Sequence, residues 1–260
     1  MQPSLQEVIE IAQKAGEILQ AGVGTDLKIH HKGRIDLVTK TDTLSEDFII
    51  GELKQRYPAH TIITEESGCL EGDANHCWYI DPLDGTANYA HGMPIYCVSI
   101  AYAENKQLRL AVVFDPTRPE CFSAELGKGA RLNDHAMHVS QNSELVDSLL
   151  VTGFPYHTQT VNNNLDHFAS FYYEAQSVRR LGSAALDICY VAAGRLDGYW
   201  QIQSHAWDMA AGALIVREAG GRVTNLAGEE DILKEPYCVV AANPQLHPKM
   251  LQILQKKEIK

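Results

Sequence analysis

The residues Asp81-Pro82-Leu83-Asp84-Gly85-Thr86 follow directly on the apolar run Trp78-Tyr79-Ile80. That juncture constrains the fold more than any other feature of the chain. The apolar run reads as a buried strand, and its end carries two carboxylates three residues apart. Ionised carboxylates at the rim of a core repel each other unless a cation or a proton intervenes. One reading is a strand closed by an Asp-Gly turn. The other is a hard-cation site: Asp81 and Asp84 are the oxygen donors Mg²⁺ prefers, Pro82 fixes the turn, and the Leu83 carbonyl is a further candidate ligand. Gly85 and Thr86 then offer backbone N–H groups at a helix start, suited to phosphate. The six residues by themselves leave both readings open.

Other acidic residues are as ambiguous singly. Glu65-Glu66 closes the strand-like Thr61–Thr64, either as a solvated turn or as a pair that needs a cation. Asp208, in HAWDMAAG, stands where a helix N-cap would. Asp36 and Asp42, in KGRIDLVTKTD (32–42), read as a loop carboxylate and a helix cap. The weight lies in the combination.

The surrounding pattern predicts the elements. Ser4 and Glu7 form a capping-box pattern ahead of a helix lined by Val8, Ala12, Ala15 and Leu19. A second box, Thr43 and Glu46, places another helix after Asp42, with Leu44, Phe48, Leu53 and Tyr57 as its apolar stripe. Strand-like runs follow at 61–64, 77–80, 96–102, 108–115 and 120–124. The second half alternates strands (149–152, the run around Tyr199, 237–242) with helices at 165–174, from Ser183 to Gly194, from Asp208 to Ala219, and at the C-terminal end. Meandering strands followed by strand–helix alternation predict an α+β lobe packed on an α/β lobe, residues 1–140 and 141–260.

Composition narrows the function. The 260 residues are 45% apolar and 21% charged, ordinary for a globular protein, and the net charge is −11. Nucleic acid and anionic membranes need clustered Lys and Arg, so neither is an expected partner. An anionic substrate fits such a chain only if bound cations reverse the local sign. The six cysteines lack a C-x-x-C pair and are expected to be buried free thiols. With no signal-peptide pattern and no run long enough to span a bilayer, a cytoplasmic location is expected. His91 and the His30-His31 pair are assigned no metal.

Together the motifs resemble the inositol monophosphatase family. Its first signature is similar to WYIDPLDGTANYAHGMP (78–94) and its second to WDMAAGALIVREAGG (207–221); ITEESG (63–68), DLVTKTD (36–42) and GSAALDICYVAAGRLDGYW (182–200) match further family segments. The resemblance runs from about residue 5 to 250. It implies the family's layered α-β-α-β-α sandwich, of the inositol monophosphatase and sugar phosphatase type, and a Mg²⁺-dependent, Li⁺-sensitive phosphomonoester hydrolase, inositol-1-monophosphatase in the first instance, with two to three ions in each active site. Glu65, Asp81, the Leu83 carbonyl, Asp84 and Asp208 are the implied metal ligands. Asp42 and Thr86 are the implied pair that deprotonates the attacking water, with Glu65 also catalytic. Gly85, Thr86, Gly182, Ser183, Ala184, Gln201, His205 and Asp208 are the implied substrate contacts. A small-molecule phosphate ester and a second copy of the chain, as a homodimer, are the implied partners.

One position departs from the pattern. Inositol-specific relatives carry a glutamate seven residues before the second-signature aspartate, and this chain has Gln201. Fructose 1,6-bisphosphate, 3′-phosphoadenosine nucleotides and histidinol phosphate are therefore kept as alternative substrates. The resemblance also carries an alternative of another class, a regulatory binding protein of transcription and ribosomal RNA synthesis.

Overall fold

The computed structural model describes residues 2–24, 30–31, 37–155 and 164–256. Asp36, and with it the front of the 32–42 segment, lies outside them. The chain opens with α1 (Leu5–Gly22), the two-residue strands β1 (His30–His31) and β2 (Leu37–Val38), and α2 (Lys40–Arg56). A run of strands follows: β3 (His60–Thr64), β4 (Gly68–Leu70), β5 (Asp73–Asp84), then the short α3 (Thr86–Ala90), β6 (Cys97–Glu104), β7 (Gln107–Asp115), β8 (Glu120–Glu125), β9 (Ala130–Leu132) and β10 (His135–Ala136). The second half contains β11 (Leu149–Thr152), α4 (Asn164–Glu174), β12 (Ser177–Arg179), α5 (Ala184–Ala192) and β13 (Gly198–Ile202). It closes with α6 (Ala206–Glu218), β14 (Arg222–Thr224), β15 (Cys238–Ala242) and α7 (His247–Leu254).

These elements stack in five layers. One sheet has eight strands in the order β10-β9-β8-β7-β6-β5-β3-β4, and a second has five, β12-β11-β13-β15-β14. Helices α1 and α2 cover the outer face of the large sheet, where Val8, Ile11, Leu19, Ile49 and Leu53 meet Trp78, Ile80, Val98 and Val112. Helices α5 and α6 lie between the sheets: Ile188, Val191, Leu214 and Ile215 pack with Ala101 and Val113 on one side and Tyr199 and Val239 on the other. Phe171 of α4 and Met250 of α7 pack with Leu150, Trp200 and Val240 on the outer face of the small sheet. This is the α-β-α-β-α sandwich that the family resemblance implies.

The first helix has the expected cap: Ser4 Oγ accepts from Glu7 N–H, and Glu7 accepts from Ser4 N–H at 2.9 Å. The second does not start where the sequence pattern puts it. Its N-cap is Thr39 and its box partner is Asp42, which accepts from Thr39 N–H at 3.0 Å and from its hydroxyl at 2.5 Å. The helix therefore begins before Asp42, and its register shifts. Leu44, expected in the apolar stripe, is exposed, whereas Thr41, Asp42, Ser45, Glu46, Ile49 and Leu53 face inward. The buried face is polar at its N-terminal end because that end abuts a polar cleft. Six free cysteines match expectation, except that Cys69 is exposed.

Candidate active site

Strands β3 and β5 run parallel, with Thr64 opposite Ile80. Parallel pairing brings Glu65, just past Thr64, to the same sheet end as Asp81. Asp81 and Asp84, three apart, would point to opposite faces of a regular strand. A bulge prevents this. Asp81 pairs with Ser99 and Asp84 with Cys97, so one extra residue lies between the pairs on β5, and both aspartates emerge on the same face. Beyond the bulge Gly85 turns the chain into α3 with φ +97, where a Cβ would stand 2.8 Å from the Ile95 carbonyl oxygen. Glycine is required there on both counts.

Helix α6 brings the fourth acid. Ser99, the register partner of Asp81, donates to the Trp207 carbonyl at 3.4 Å, which sets the first turn of α6 beside the strand end. Asp208 occupies the N3 position, not the N-cap expected from the sequence, and accepts from His205 N–H at 2.9 Å and Ser204 Oγ at 2.8 Å. Its capping duty is real, as is its place in the cleft.

The cleft is open to solvent and is lined by Glu65, Asp81, Leu83, Asp84, Gly85 and Thr86 from the large sheet side. Gly182, Ser183, Ala184, Gln201 and Asp208 line it from the second half of the chain. Every implied site residue except Asp42 and His205 therefore borders one cavity. Asp42 stands directly behind it: Thr86 Oγ1 donates to Asp42 Oδ1 at 3.2 Å and to the Leu83 carbonyl at 3.1 Å, one proton shared between two acceptors. His205 does not line the cavity; its exposed ring stacks on Trp207 at 4.6 Å. Gly153, Phe154, Arg180 and Asp187 line the cleft as well and were not anticipated. Arg180, two residues before Gly182 and set in an acidic chain, was the available signal; Asp187 offered only its position one turn beyond Ala184.

The electrostatics are those of acids held in excess. Asp81 is 2% exposed, and its carboxyl is pushed well above the ordinary range by burial and then by Glu65, Asp84 and Asp208. Burial lifts Asp84 to about 6, the Ser183 hydroxyl opposing and Asp208 adding to the rise. Asp84 Oδ2 accepts from Ser183 Oγ at 2.6 Å and from Ala185 N–H at 2.7 Å, so α5 is tied to the strand end through this carboxylate. Burial also raises Asp42, against the hydrogen bonds from Thr39 and Thr86. Among the described residues no three His, Cys, Asp or Glu side chains form a closed metal-binding group. The fit to a divalent cation rests on the donor set: hard carboxylate oxygens and a carbonyl, mutually repelling and drawn from separate segments, which is what Mg²⁺ sites with retained waters require.

Residues 1–258 match the sequence model of the inositol monophosphatase family. The chain belongs to that family. It is 43% identical over 259 residues to the Nus factor SuhB of Pasteurella multocida, covering 98% of this chain and 97% of that protein. It is 40% identical over 256 residues to an inositol-1-monophosphatase of Mesorhizobium japonicum, covering 97% and 96%. The crystal structure of the extragenic suppressor protein suhB from Bartonella henselae superposes with a TM-score of 0.92 at 38% identity, over 97% of this chain and 98% of that one. Family members thus include proteins named for phosphatase activity and proteins named as Nus factors. Among the described residues no helix is long and apolar enough to cross a membrane.

Proposed function

We propose that the protein is a Mg²⁺-dependent phosphomonoesterase that hydrolyses myo-inositol 1-phosphate or a related polyol phosphate to the alcohol and inorganic phosphate. The observation that carries this is the convergence of Glu65, Asp81, Asp84 and Asp208 on one cleft with the hydrogen-bonded Asp42–Thr86 pair behind it. Glu65, Asp81, the Leu83 carbonyl, Asp84 and Asp208 would hold two to three ions. Bound Mg²⁺ supplies the positive charge that offsets the ester dianion and lowers the pKa of water in the site.

The chain's own residues do the positioning. Asp42 takes the Thr86 hydroxyl proton in a hydrogen bond, which turns the Thr86 lone pairs toward the cleft to accept from a water. As that water attacks phosphorus, its proton passes through Thr86 to Asp42, whose carboxyl is already raised by burial. The ester P–O bond breaks, the leaving oxygen takes a proton from cleft water, and the hydroxide so formed takes up the proton held by Asp42, which resets the pair. Gly85 and Thr86 present backbone N–H groups to the phosphate; Gly182, Ser183, Ala184 and Gln201 face the alcohol. No residue forms a covalent phosphoenzyme, and Asp81 serves as ligand. Residues 1–140 and 141–260 act as two lobes that meet at this cleft, the assembly is a cytoplasmic homodimer, and Li⁺ inhibits.

Phosphate release from myo-inositol 1-phosphate and a panel of sugar and nucleotide phosphates, with Mg²⁺ and with chelator, tests this reading. Mg²⁺-dependent turnover is expected. Turnover of fructose 1,6-bisphosphate or an adenosine bisphosphate roughly 100-fold faster, about 2.7 kcal/mol in barrier, would move the substrate assignment. A second reading, a regulatory binding protein of transcription, is favoured by the relatives named Nus factor SuhB. Stable recovery with transcription proteins, unaffected by Asp84→Asn, together with no phosphate release, would support it.

A further inference from the structure

The cleft wall across from the bulged strand is built by α5 and β13, and it carries an acid that the proposed chemistry leaves unused. Gln201 on β13 is 8% exposed and lines the cleft. Tyr199, two residues earlier on the same strand face, is fully buried and donates its hydroxyl to Gln201 Oε1. Burial, and then the neighbouring acids Asp187, Asp208 and Asp84, hold that phenol well above its ordinary pKa, so it remains a donor. The amide oxygen is thereby engaged, and the group Gln201 offers the cleft is its NH₂. Gly153 permits this: a Cβ at that position would collide with the Gln201 carboxamide.

Asp187 lines the same cavity from the first turn of α5. It is 1% exposed, and its Oδ1 has no hydrogen-bond partner. Buried polar atoms in folded proteins are nearly always satisfied, and an unpartnered carboxyl on a side chain that lines a cavity points to a ligand or an ordered water. Both protonation states of a carboxyl retain an acceptor oxygen. The wall therefore presents a donor, the Gln201 amide, and an acceptor, the Asp187 carboxyl. A hydroxyl group, which both accepts and donates, satisfies the two together.

We propose that Asp187, with Gln201, is a specificity-determining residue that receives a hydroxyl of the substrate's alcohol portion, so that the site selects phosphate monoesters of polyols. The assignment rests on the phosphatase reading above.

The test compares kcat/KM for myo-inositol 1-phosphate with that for p-nitrophenyl phosphate, which has no hydroxyl on its leaving group. Asp187→Leu, close in size and free of the orphaned oxygen, should keep its Tm and lower the ratio of the two by about tenfold, the worth of one hydrogen bond to a charged or polar partner. Asp187→Asn retains an acceptor and should keep the ratio within about threefold of the wild type. Equal losses on both esters, or no loss on either, in a folded Leu variant would overturn the assignment while leaving the phosphatase reading intact. If the Leu variant fails to fold, the same ratio is read in Asp187→Ala, where a fall of about tenfold supports the assignment and an unchanged ratio overturns it. Wild-type protein that releases phosphate from neither ester sinks the phosphatase reading, and the assignment falls with it.

Discussion

Asp81 and Asp84 are buried, mutually repelling acids whose hydrogen bonds come from Leu83 N–H, Ser183 Oγ, Ala185 N–H and the Cys97 thiol. Asp81→Asn or Asp84→Asn is expected to cut kcat by at least roughly 10²–10³-fold, the scale of one lost electrostatic partner in a preorganised site. The same variants should melt at or above the wild-type temperature in chelator, because each removes a like charge. Phosphate release and thermal melts measured together check both halves; unfolding at ordinary temperature would mark these residues as structural. A pH dependence follows from the same groups. Asp84 is raised by burial from 3.8 to about 6, so between those values the native state holds a proton that the unfolded chain has released. Stability in chelator should therefore fall as pH rises from about 4 to about 6, and denaturant midpoints across that range measure it. At this scale the sequence was informative where chemistry concentrates in a few adjacent residues, as in Asp81 to Thr86. It said little about Asp187, since an acid in a helical stretch is ordinarily solvated and only the packed cleft shows its oxygen without a partner.

The elements carry the site through departures from regularity. The bulge on β5 turns an i, i+3 pair into same-face neighbours, and the Thr39–Asp42 cap starts α2 early enough to bury Asp42 behind Thr86. Neither was legible in the sequence: register shifts depend on the partner strand, and DLVTKTD offers more than one plausible helix start. The longer strands β3, β5, β6, β7, β8, β11, β13 and β15 were, because their apolar runs have strand length and turn residues between them; the two- and three-residue strands β1, β2, β4, β9, β10, β12 and β14 are too short to leave such a run. Two glycines separate the structural demands. Gly85→Ala places a side chain at φ +97 and against the Ile95 carbonyl, and should cost about 1–3 kcal/mol along with most of the activity, since the turn between Asp84 and Thr86 must move. Gly51→Ala, in α2 with nothing within 4 Å of its Cβ, should instead stabilise by about 0.4–1 kcal/mol with unchanged turnover. Denaturant unfolding and phosphate release on the pair distinguish the two; similar effects from both substitutions would contradict this account of the turn.

Across the whole molecule the acids belong to both halves of the chain: Glu65, Asp81 and Asp84 come from the large sheet's strand ends and Asp208 from the helix layer between the sheets. The five-layer order was available only through family resemblance, because local patterning predicts elements but not which sheet face each helix covers. A net charge of −11 adds a further cost to gathering four carboxylates in one cleft, so cations that bind there should stabilise the folded chain and not merely activate it. For a site that binds only the native state the gain is RT ln(1 + [L]/Kd), about 2.7 kcal/mol at 100-fold excess over Kd. For a protein of this size that corresponds to a rise in Tm of roughly 5–10 °C. The increment should appear on adding Mg²⁺ to chelated protein and shrink sharply in Asp81→Asn, whose carboxylate is the most deeply buried of the four. It should persist in Gly51→Ala, far from any ligand. An equal Mg²⁺ increment in wild type and Asp81→Asn would place the stabilising ion elsewhere on the acidic surface, and with it would go the argument that these four carboxylates hold the metal.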